Sequence, residues 1–124
     1  MVDTLGLILK IKVHKASIQD RDGAKLVLKG SRKLLPRLAL VWVDAAYAGK
    51  LVLWAKRYLH WTLEVVRRAD DVRGFKILPK RWIVERTFGW IGRYRRSSKD
   101  YEQRMEHSEA IILLSRSHLM VRRL

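Results

Sequence analysis

The 124-residue chain contains no cysteine, so the sequence excludes disulfides and thiolate metal sites and suits a reducing cytoplasm. Its longest apolar runs, such as residues 111–114, are far too short to span a bilayer. No charged and apolar leader opens the chain, which predicts a protein that is not exported. Glycine-rich phosphate loops and dinucleotide-binding patterns are also missing. These absences predict a cytoplasmic protein with no membrane partner.

Acidic residues are scarce in this chain. The 12 Asp and Glu residues stand against 27 Lys and Arg residues, which gives a formal net charge of +15 and an isoelectric point near 10.8. Such an excess of cations is typical of proteins that bind nucleic acid, an acidic membrane surface or the ribosome. A generically basic soluble protein is the alternative interpretation. Trp, Tyr and Arg are interleaved in the second half of the chain, and this favours nucleic acid.

Hydrophobic residues make up 48% of the chain, which predicts a folded protein, and its length suits one domain better than two. In the first half, apolar and polar residues alternate over residues 7–14, which predicts a strand paired in a hairpin with residues 1–4. The further predicted elements are a helix over about residues 22–34, a buried strand over 38–43, a helix over 50–59 and a strand over 61–66.

In the second half, residues 70–80 are predicted to form a loop, followed by helices over residues 81–94 and 106–123. The last helix is expected to bury Ile111, Leu114, His118 and Val121. The whole order predicts an α/β fold with a mixed sheet, in which an antiparallel hairpin joins parallel strands and helices flank the sheet.

Two acidic residues stand out by their surroundings. Asp44 ends a predicted strand, and open α/β sheets place their ligands at the carboxyl ends of strands. Glu85 lies in a predicted helix among basic residues, and Gly89 and Gly92 on its face leave room for a ligand. The basic residues are Lys80, Arg81, Arg86, Arg93, Arg95, Arg96 and Lys99. Each acid also has a purely structural interpretation, as a turn cap for Asp44 and a surface ion pair for Glu85.

The two acids together indicate a shared site for a hard divalent cation, which prefers oxygen ligands. Two such ions about 3.5–4 Å apart stabilise the attacking and leaving oxygens of a phosphoryl displacement, and the arginines would hold phosphates. This chemistry normally uses a third acid, and spacing alone identifies none. The histidines of the chain lack the spacing of metal ligands. They are His14, His60, His107 and His118.

Several short blocks of residues, spread over the whole chain, are informative when they are considered together and in their order along the sequence. They include Trp42-Val43-Asp44-Ala45-Ala46-Tyr47-Ala48-Gly49 and Arg81-Trp82-Ile83-Val84-Glu85-Arg86-Thr87-Phe88-Gly89-Trp90, together with residues 2–7, 19–25, 93–96 and 98–102. In this order the blocks resemble the bacterial insertion-sequence DDE transposases, in the group named after insertion sequence five.

The resemblance implies an RNase H-like catalytic core that uses Mg²⁺ or Mn²⁺ to cut DNA at transposon ends and to join it to a target. Asp44 matches the second acid of the DDE triad and Glu85 the third, so both are expected to be catalytic and to bind the metal. Arg81 matches an arginine one helical turn before that glutamate. The basic residues listed around Glu85 are the expected DNA-binding residues. Leu78 and Gly92 stand where the family has a tyrosine and a lysine.

The resemblance also implies a first acid on a strand upstream of the hairpin, and Asp3 matches the hairpin block instead. Residues 1–124 are therefore expected to form one truncated, incomplete RNase H-like domain that lacks its first strand and the N-terminal DNA-binding region. Such a fragment is expected to be inactive alone and to need an upstream transposase polypeptide or self-association. A basic, non-catalytic DNA-binding remnant is the alternative. The expected location is the bacterial cytoplasm, in association with the nucleoid.

Overall fold

A computed structural model describes residues 1–66 and 80–122 of the chain. The chain divides into two compact units, which we describe separately. The central unit is Ala16–Trp82, and the split unit comprises Met1–Lys15 and Ile83–Leu124. The loop expected over residues 70–80 lies outside the described residues except for Lys80. The expectation of a single truncated domain over the whole chain stays a prediction.

The central unit is built on a β–α–β segment. Strands β1 (Leu40–Asp44) and β2 (Thr62–Val66) pair in parallel, with Asp44 opposite Val66. Helix α3 (Lys50–Leu59) connects the two strands, as parallel pairing requires a crossover. The predicted parallel pairing is therefore confirmed, and so are the predicted helix and the second strand to within one residue.

Two helices precede this sheet where one helix over residues 22–34 was predicted. They are α1 (Asp20–Leu28) and α2 (Ser31–Leu34). Gly30 separates them with a φ of 77°, a left-handed conformation that interrupts a right-handed helix and that glycine adopts at little cost. The extent of the predicted helix is thus nearly right, but its continuity is wrong.

The core of the central unit is mainly apolar, with Ser31 as a buried polar member. Its buried hydrophobic residues are Leu28, Leu51, Ala55, Leu59, Trp61 and Leu63. Three of them recur at every fourth residue of α3 and so lie on one face of that helix. β1 is exposed at both ends and half-buried between them. The prediction that β1 is a buried central strand is therefore wrong, since among the described residues it pairs with β2 alone.

The split unit contains α4 (Arg81–Gly92), whose first two residues belong to the central unit, and α5 (Met105–Val121). Both helices were predicted to within two residues. The buried face of α5 was predicted wrongly: Leu114 and Val121 are 68% and 66% exposed. The buried residues of α5 are Ser108, Ser115 and Arg116.

The predicted antiparallel hairpin is also wrong for the described residues, where it is reduced to a single bridge between Val2 and Ile8. The carboxylate of Asp3 accepts the backbone N–H groups of Leu5 at 2.9 Å and Leu7 at 2.8 Å. Such side-chain bonds offer the backbone an alternative to a strand ladder. The segment therefore forms a turn.

None of the helices in residues 1–66 and 80–122 combines the length and the apolar character that a membrane span requires.

Candidate functional site

Asp44 is the last residue of β1, at the strand end where the sequence placed it. Its side chain is exposed, and its Oδ1 accepts the N–H of Ala46 at 2.9 Å. This bond caps the short 3₁₀ turn Ala45–Tyr47. The structural interpretation of Asp44 is therefore correct. It does not compete with a metal-binding role, because an ionised carboxylate has about four acceptor positions.

A hydrogen bond links the turn after Asp44 to the start of α1. Arg21 donates from Nε to the carbonyl of Ala46 at 3.0 Å. Burial, and then the negative charges of Asp20 and Asp44, raise the pKa of Tyr47. Asp20 is thus a second carboxylate within electrostatic reach of this turn. The sequence revealed it only as part of a helix start, because no spacing pattern links Asp20 to Asp44.

Lys80, one of the predicted DNA-binding residues, contacts an aromatic ring of the central unit. Its Nζ lies 3.6 Å from the centroid of the Trp42 ring. The indole of Trp42 donates to the Glu64 carboxylate at 3.1 Å across the β1–β2 pair. A cation–π contact of this kind contributes about 0.5–1 kcal/mol at an exposed site. Lys80 therefore has a structural contact in addition to its predicted role.

Glu85 lies on the exposed face of α4. Thr87 and Ile91 on that helix are 3% and 8% exposed, and Glu85 lies about 200° around the axis from Thr87. Apart from the neighbouring backbone of α4, a Cβ added at Gly89 or Gly92 would meet no atom of the described residues within 4 Å. The open space expected beside these two glycines is therefore present, one helical turn after Glu85 in the case of Gly89.

Three side chains hold α4 and α5 to the N-terminal turn, and we call them the turn anchor. Thr87 donates from Oγ1 to the carbonyl of Gly6 at 2.8 Å, and Arg116 donates from Nη2 to the same oxygen at 2.8 Å. Arg86 donates from Nη2 to the carbonyl of Leu5 at 2.9 Å. Arg86, which was predicted to bind DNA, therefore has a structural contact within the split unit.

Both guanidinium groups of the turn anchor also lie against one indole. Their Cζ atoms are 4.7 Å (Arg86) and 5.1 Å (Arg116) from the centroid of the Trp90 ring. Arg116 is 3% exposed, so its charge is removed from water. This arrangement could not be predicted from the sequence, because an arginine in an amphipathic helix is normally expected on the solvent-exposed face.

The other basic residues expected at DNA differ in their contacts. Arg96 donates through Nη2 at 2.6 Å and Nε at 3.1 Å to one carboxylate oxygen of Glu102. Arg93, Arg95 and Lys99 are exposed. The predicted DNA-binding set thus contains residues with structural contacts as well as cations that face solvent.

The structure does not by itself assemble a metal site. Asp44 belongs to the central unit and Glu85 to the split unit, and each is described within its own unit. Among residues 1–66 and 80–122, no group of three or more His, Cys, Asp or Glu side chains is arranged to hold a metal ion. The shared metal site of Asp44 and Glu85 stays a prediction.

Comparison with known families supplies the identification. A family model described as "Transposase DDE domain" matches residues 1–120, a range that includes Asp44, Glu85 and every predicted DNA-binding residue. No curated protein and no solved structure matches the chain. Transposases of this family act on DNA and generally depend on divalent metal ions. Since the matched range covers nearly the whole chain, this protein belongs to the DDE-domain transposase family.

Proposed function

We propose that this chain contributes Asp44 and Glu85, as the second and third acids of a DDE triad, to the cutting and joining of DNA at transposon ends. The family match over residues 1–120 is the observation that carries the proposal. Asp44 at the end of a parallel strand and Glu85 on the exposed face of a helix support it. The parallel β1–α3–β2 segment is compatible with an RNase H-like fold, which we propose for the complete domain.

The donor chemistry of the two acids suits the expected metal ions, since Mg²⁺ and Mn²⁺ prefer carboxylate oxygens. Asp44 and Glu85 would hold these ions, which would supply charge stabilisation to the attacking and leaving oxygens of phosphoryl transfer. The Ala46 N–H holds one oxygen of Asp44 and so orients the carboxylate. The turn anchor fixes the rotation of α4 about its axis, and this keeps Glu85 on the exposed face.

The resemblance assigns the first acid of the triad to none of the 124 residues. We therefore propose that an upstream transposase segment, outside these 124 residues, supplies it. The exposed Arg93, Arg95 and Lys99 would contact phosphates, which position DNA without reading its sequence.

The test combines the full chain with the acid-bearing segment encoded upstream of its reading frame and with DNA from the flanks of that frame. Mg²⁺-dependent cleavage is expected only when both polypeptides are present. Asp44→Asn and Glu85→Gln should each lower it at least about a hundredfold, because each removes charge from the metal ligands. The matched exposed acids Asp22→Asn and Glu106→Gln should cleave normally. Undiminished cleavage by either triad variant contradicts the proposal.

Metal binding gives a readout that does not need activity. Mn²⁺ added to the isotopically labelled chain, mixed with the upstream segment and DNA, should broaden the nuclear magnetic resonance signals of residues near both Asp44 and Glu85. In Asp44→Asn the broadening should weaken at both positions. Broadening that follows only one acid would contradict a shared metal site.

A non-catalytic DNA-binding remnant is the second candidate, and the net charge of +15 is the observation that favours it. In that case DNA binding would weaken steeply with salt, with about 0.9 counterions released per neutralised duplex phosphate. Binding without any cleavage in the mixture, unchanged by Asp44→Asn and Glu85→Gln, would favour this candidate over the triad.

A further inference from the structure

Helix α3 presents a second face that is basic and aromatic. Its residues recur at the first, fourth, fifth, eighth and ninth positions of the helix, which is the spacing of one helical face. We call this face the α3 outer surface, and its residues are Lys50, Leu53, Trp54, Arg57 and Tyr58. The ten residues of α3 include no Asp or Glu, so no acid of the helix itself neutralises this face.

The orientation of this surface is fixed by the opposite side of the helix. Leu51, Ala55 and Leu59 are 1%, 0% and 7% exposed, so α3 has little freedom to rotate about its axis. Arg32 donates from Nη1 to the carbonyl of Leu59 at 2.5 Å, which secures the last turn of the helix. The outer surface is therefore held toward solvent by a packed core.

Two aromatic rings and a guanidinium group on this surface are already arranged against one another. The ring centroids of Trp54 and Tyr58 are 6.0 Å apart, and Arg57 Cζ lies 5.6 Å from the centroid of the Tyr58 ring. Tyr58 is 62% exposed and Leu53 is 70% exposed, although exposed apolar area is unfavourable in water. An exposed ring beside a cation is the arrangement that binds the bases and phosphates of a single nucleic-acid strand.

The two cations of the surface are separated by about two helical turns. Seven residues at 1.5 Å each place the Cα atoms of Lys50 and Arg57 about 10 Å apart along the axis. Tyr58 directly follows Arg57, so a phosphate next to a base stacked on Tyr58 lies within reach of Arg57, and a phosphate farther along the strand lies within reach of Lys50.

We infer that the α3 outer surface binds a single DNA strand, with phosphates at Lys50 and Arg57 and a base stacked on Tyr58. The inference rests on the proposed function only in taking DNA as the partner. It requires neither Asp44 nor Glu85. It assigns DNA contact to a helix outside the basic segment around Glu85.

The first test is the salt dependence of binding of the full chain to a fluorescent single-stranded oligonucleotide. The double variant Lys50→Gln with Arg57→Gln should lower the slope of log K against log salt by about 1.4, since each single-strand phosphate contributes about 0.7. The control pair Lys15→Gln with Arg122→Gln makes the same change in net charge at two exposed positions. Equal slopes for the two double variants would overturn the inference.

The second test is the ring of Tyr58. Tyr58→Ala should weaken single-strand binding at least about fivefold, and Tyr58→Phe should retain it, because stacking needs the ring and not the hydroxyl. Heparin carries anionic charge without bases, so Tyr58→Ala should leave heparin binding unchanged. An equal loss on heparin, or no loss on DNA, would overturn the inference. Circular dichroism melting curves should be the same for all these surface variants.

The outcomes separate this inference from the proposed function. Asp44→Asn and Glu85→Gln should bind single-stranded DNA as the parent chain does. The variant Lys50→Gln with Arg57→Gln should keep the Mn²⁺-induced broadening near Asp44 and Glu85, because metal binding does not use the α3 outer surface. If the cleavage experiments contradicted the triad, the weaker single-strand binding of Tyr58→Ala would still be expected. If Tyr58→Ala bound single-stranded DNA normally, the expected cleavage results for Asp44 and Glu85 would still hold.

Discussion

The two units differ in what they bury. The central unit buries Leu51, Trp61 and Leu63 along with three other apolar side chains and one polar side chain, Ser31, whereas the described part of the split unit buries Arg116 and other polar residues. These other polar residues are Thr87, Ser108 and Ser115, with Ile91 as the apolar member. Apolar burial is non-directional and roughly proportional to area, whereas a hydrogen bond requires one geometry. The central unit should therefore tolerate a buried side chain of different shape but similar volume, and the split unit should not tolerate such a replacement.

The largest effect is expected for truncation in the apolar core. Leu51→Ala should lower the free energy of unfolding by about 2–5 kcal/mol, because a cavity is added to the lost apolar burial. Leu51→Met should cost less than about 1.5 kcal/mol, since its volume is similar. Urea unfolding measures both values, with the 70% exposed Leu53→Ala as the matched control. Equal costs for Ala and Met at position 51 would contradict non-directional packing in the central unit.

A conservative change in the split unit should be costly by comparison. Arg116→Lys keeps the charge but loses the planar fork that donates to Gly6 and lies against Trp90. Hydrogen bonds to charged groups contribute about 1.5–3 kcal/mol, so a loss of that order in the free energy of unfolding is expected. Urea unfolding should find Arg122→Lys, at an exposed position, close to the parent chain. If Arg116→Lys left the free energy of unfolding unchanged, the contrast between the two units would not hold.

This contrast explains which parts of the fold were predictable. Helix α3 and strand β2 follow from apolar periodicity, because the same periodicity packs them together. The predictions of the hairpin and of the buried face of α5 were wrong. Asp3 and Arg116 form hydrogen bonds with backbone groups, and such bonds produce no periodic pattern in the sequence.

The candidate site was predictable to a different degree at each acid. Asp44 was located at the end of its strand by the abrupt stop of an apolar run, and its cap was one of the two interpretations. The exposed face of Glu85 followed from helical spacing. The contacts of Arg86 with the turn at Leu5 were not predictable, since the two residues are far apart in sequence.

A smaller effect separates the structural and catalytic roles of Asp44. Asp44→Ala should lower the free energy of unfolding by about 1 kcal/mol, because the Ala46 N–H loses its cap. Asp44→Asn should stay within about 0.5 kcal/mol of the parent chain, since an amide oxygen also caps. Thermal unfolding measures the stability of both variants. If Asn were as destabilising as Ala, the charge of Asp44 and not its hydrogen bond would stabilise the turn.

The smallest effect concerns an ion pair of the split unit. Burial raises the pKa of Glu109, but the Val13 N–H at 2.8 Å and the Lys12 ammonium outweigh it, so that the pKa is lowered. A lowered folded-state pKa stabilises the fold above the ordinary glutamate pKa of about 4.3, and this stabilisation is lost as pH falls through the lowered pKa.

Melting temperatures compared between neutral and acidic pH test this contribution. Glu109→Gln should show a smaller loss of stability in acid than the parent chain. The exposed Glu106→Gln should follow the parent chain. Identical acid profiles for Glu109→Gln and Glu106→Gln would show that the Lys12–Glu109 pair contributes nothing measurable.

The open space beside Gly89 has a practical consequence for spectroscopy. Because the chain has no cysteine, Gly89→Cys would introduce a single thiol one turn from Glu85. Apart from the neighbouring backbone of α4, no atom of residues 1–66 or 80–122 lies within 4 Å of the position of its Cβ, which leaves room for a spin label or photo-crosslinker. Its distance to labelled DNA would report how closely a strand approaches this face of α4 during the reaction.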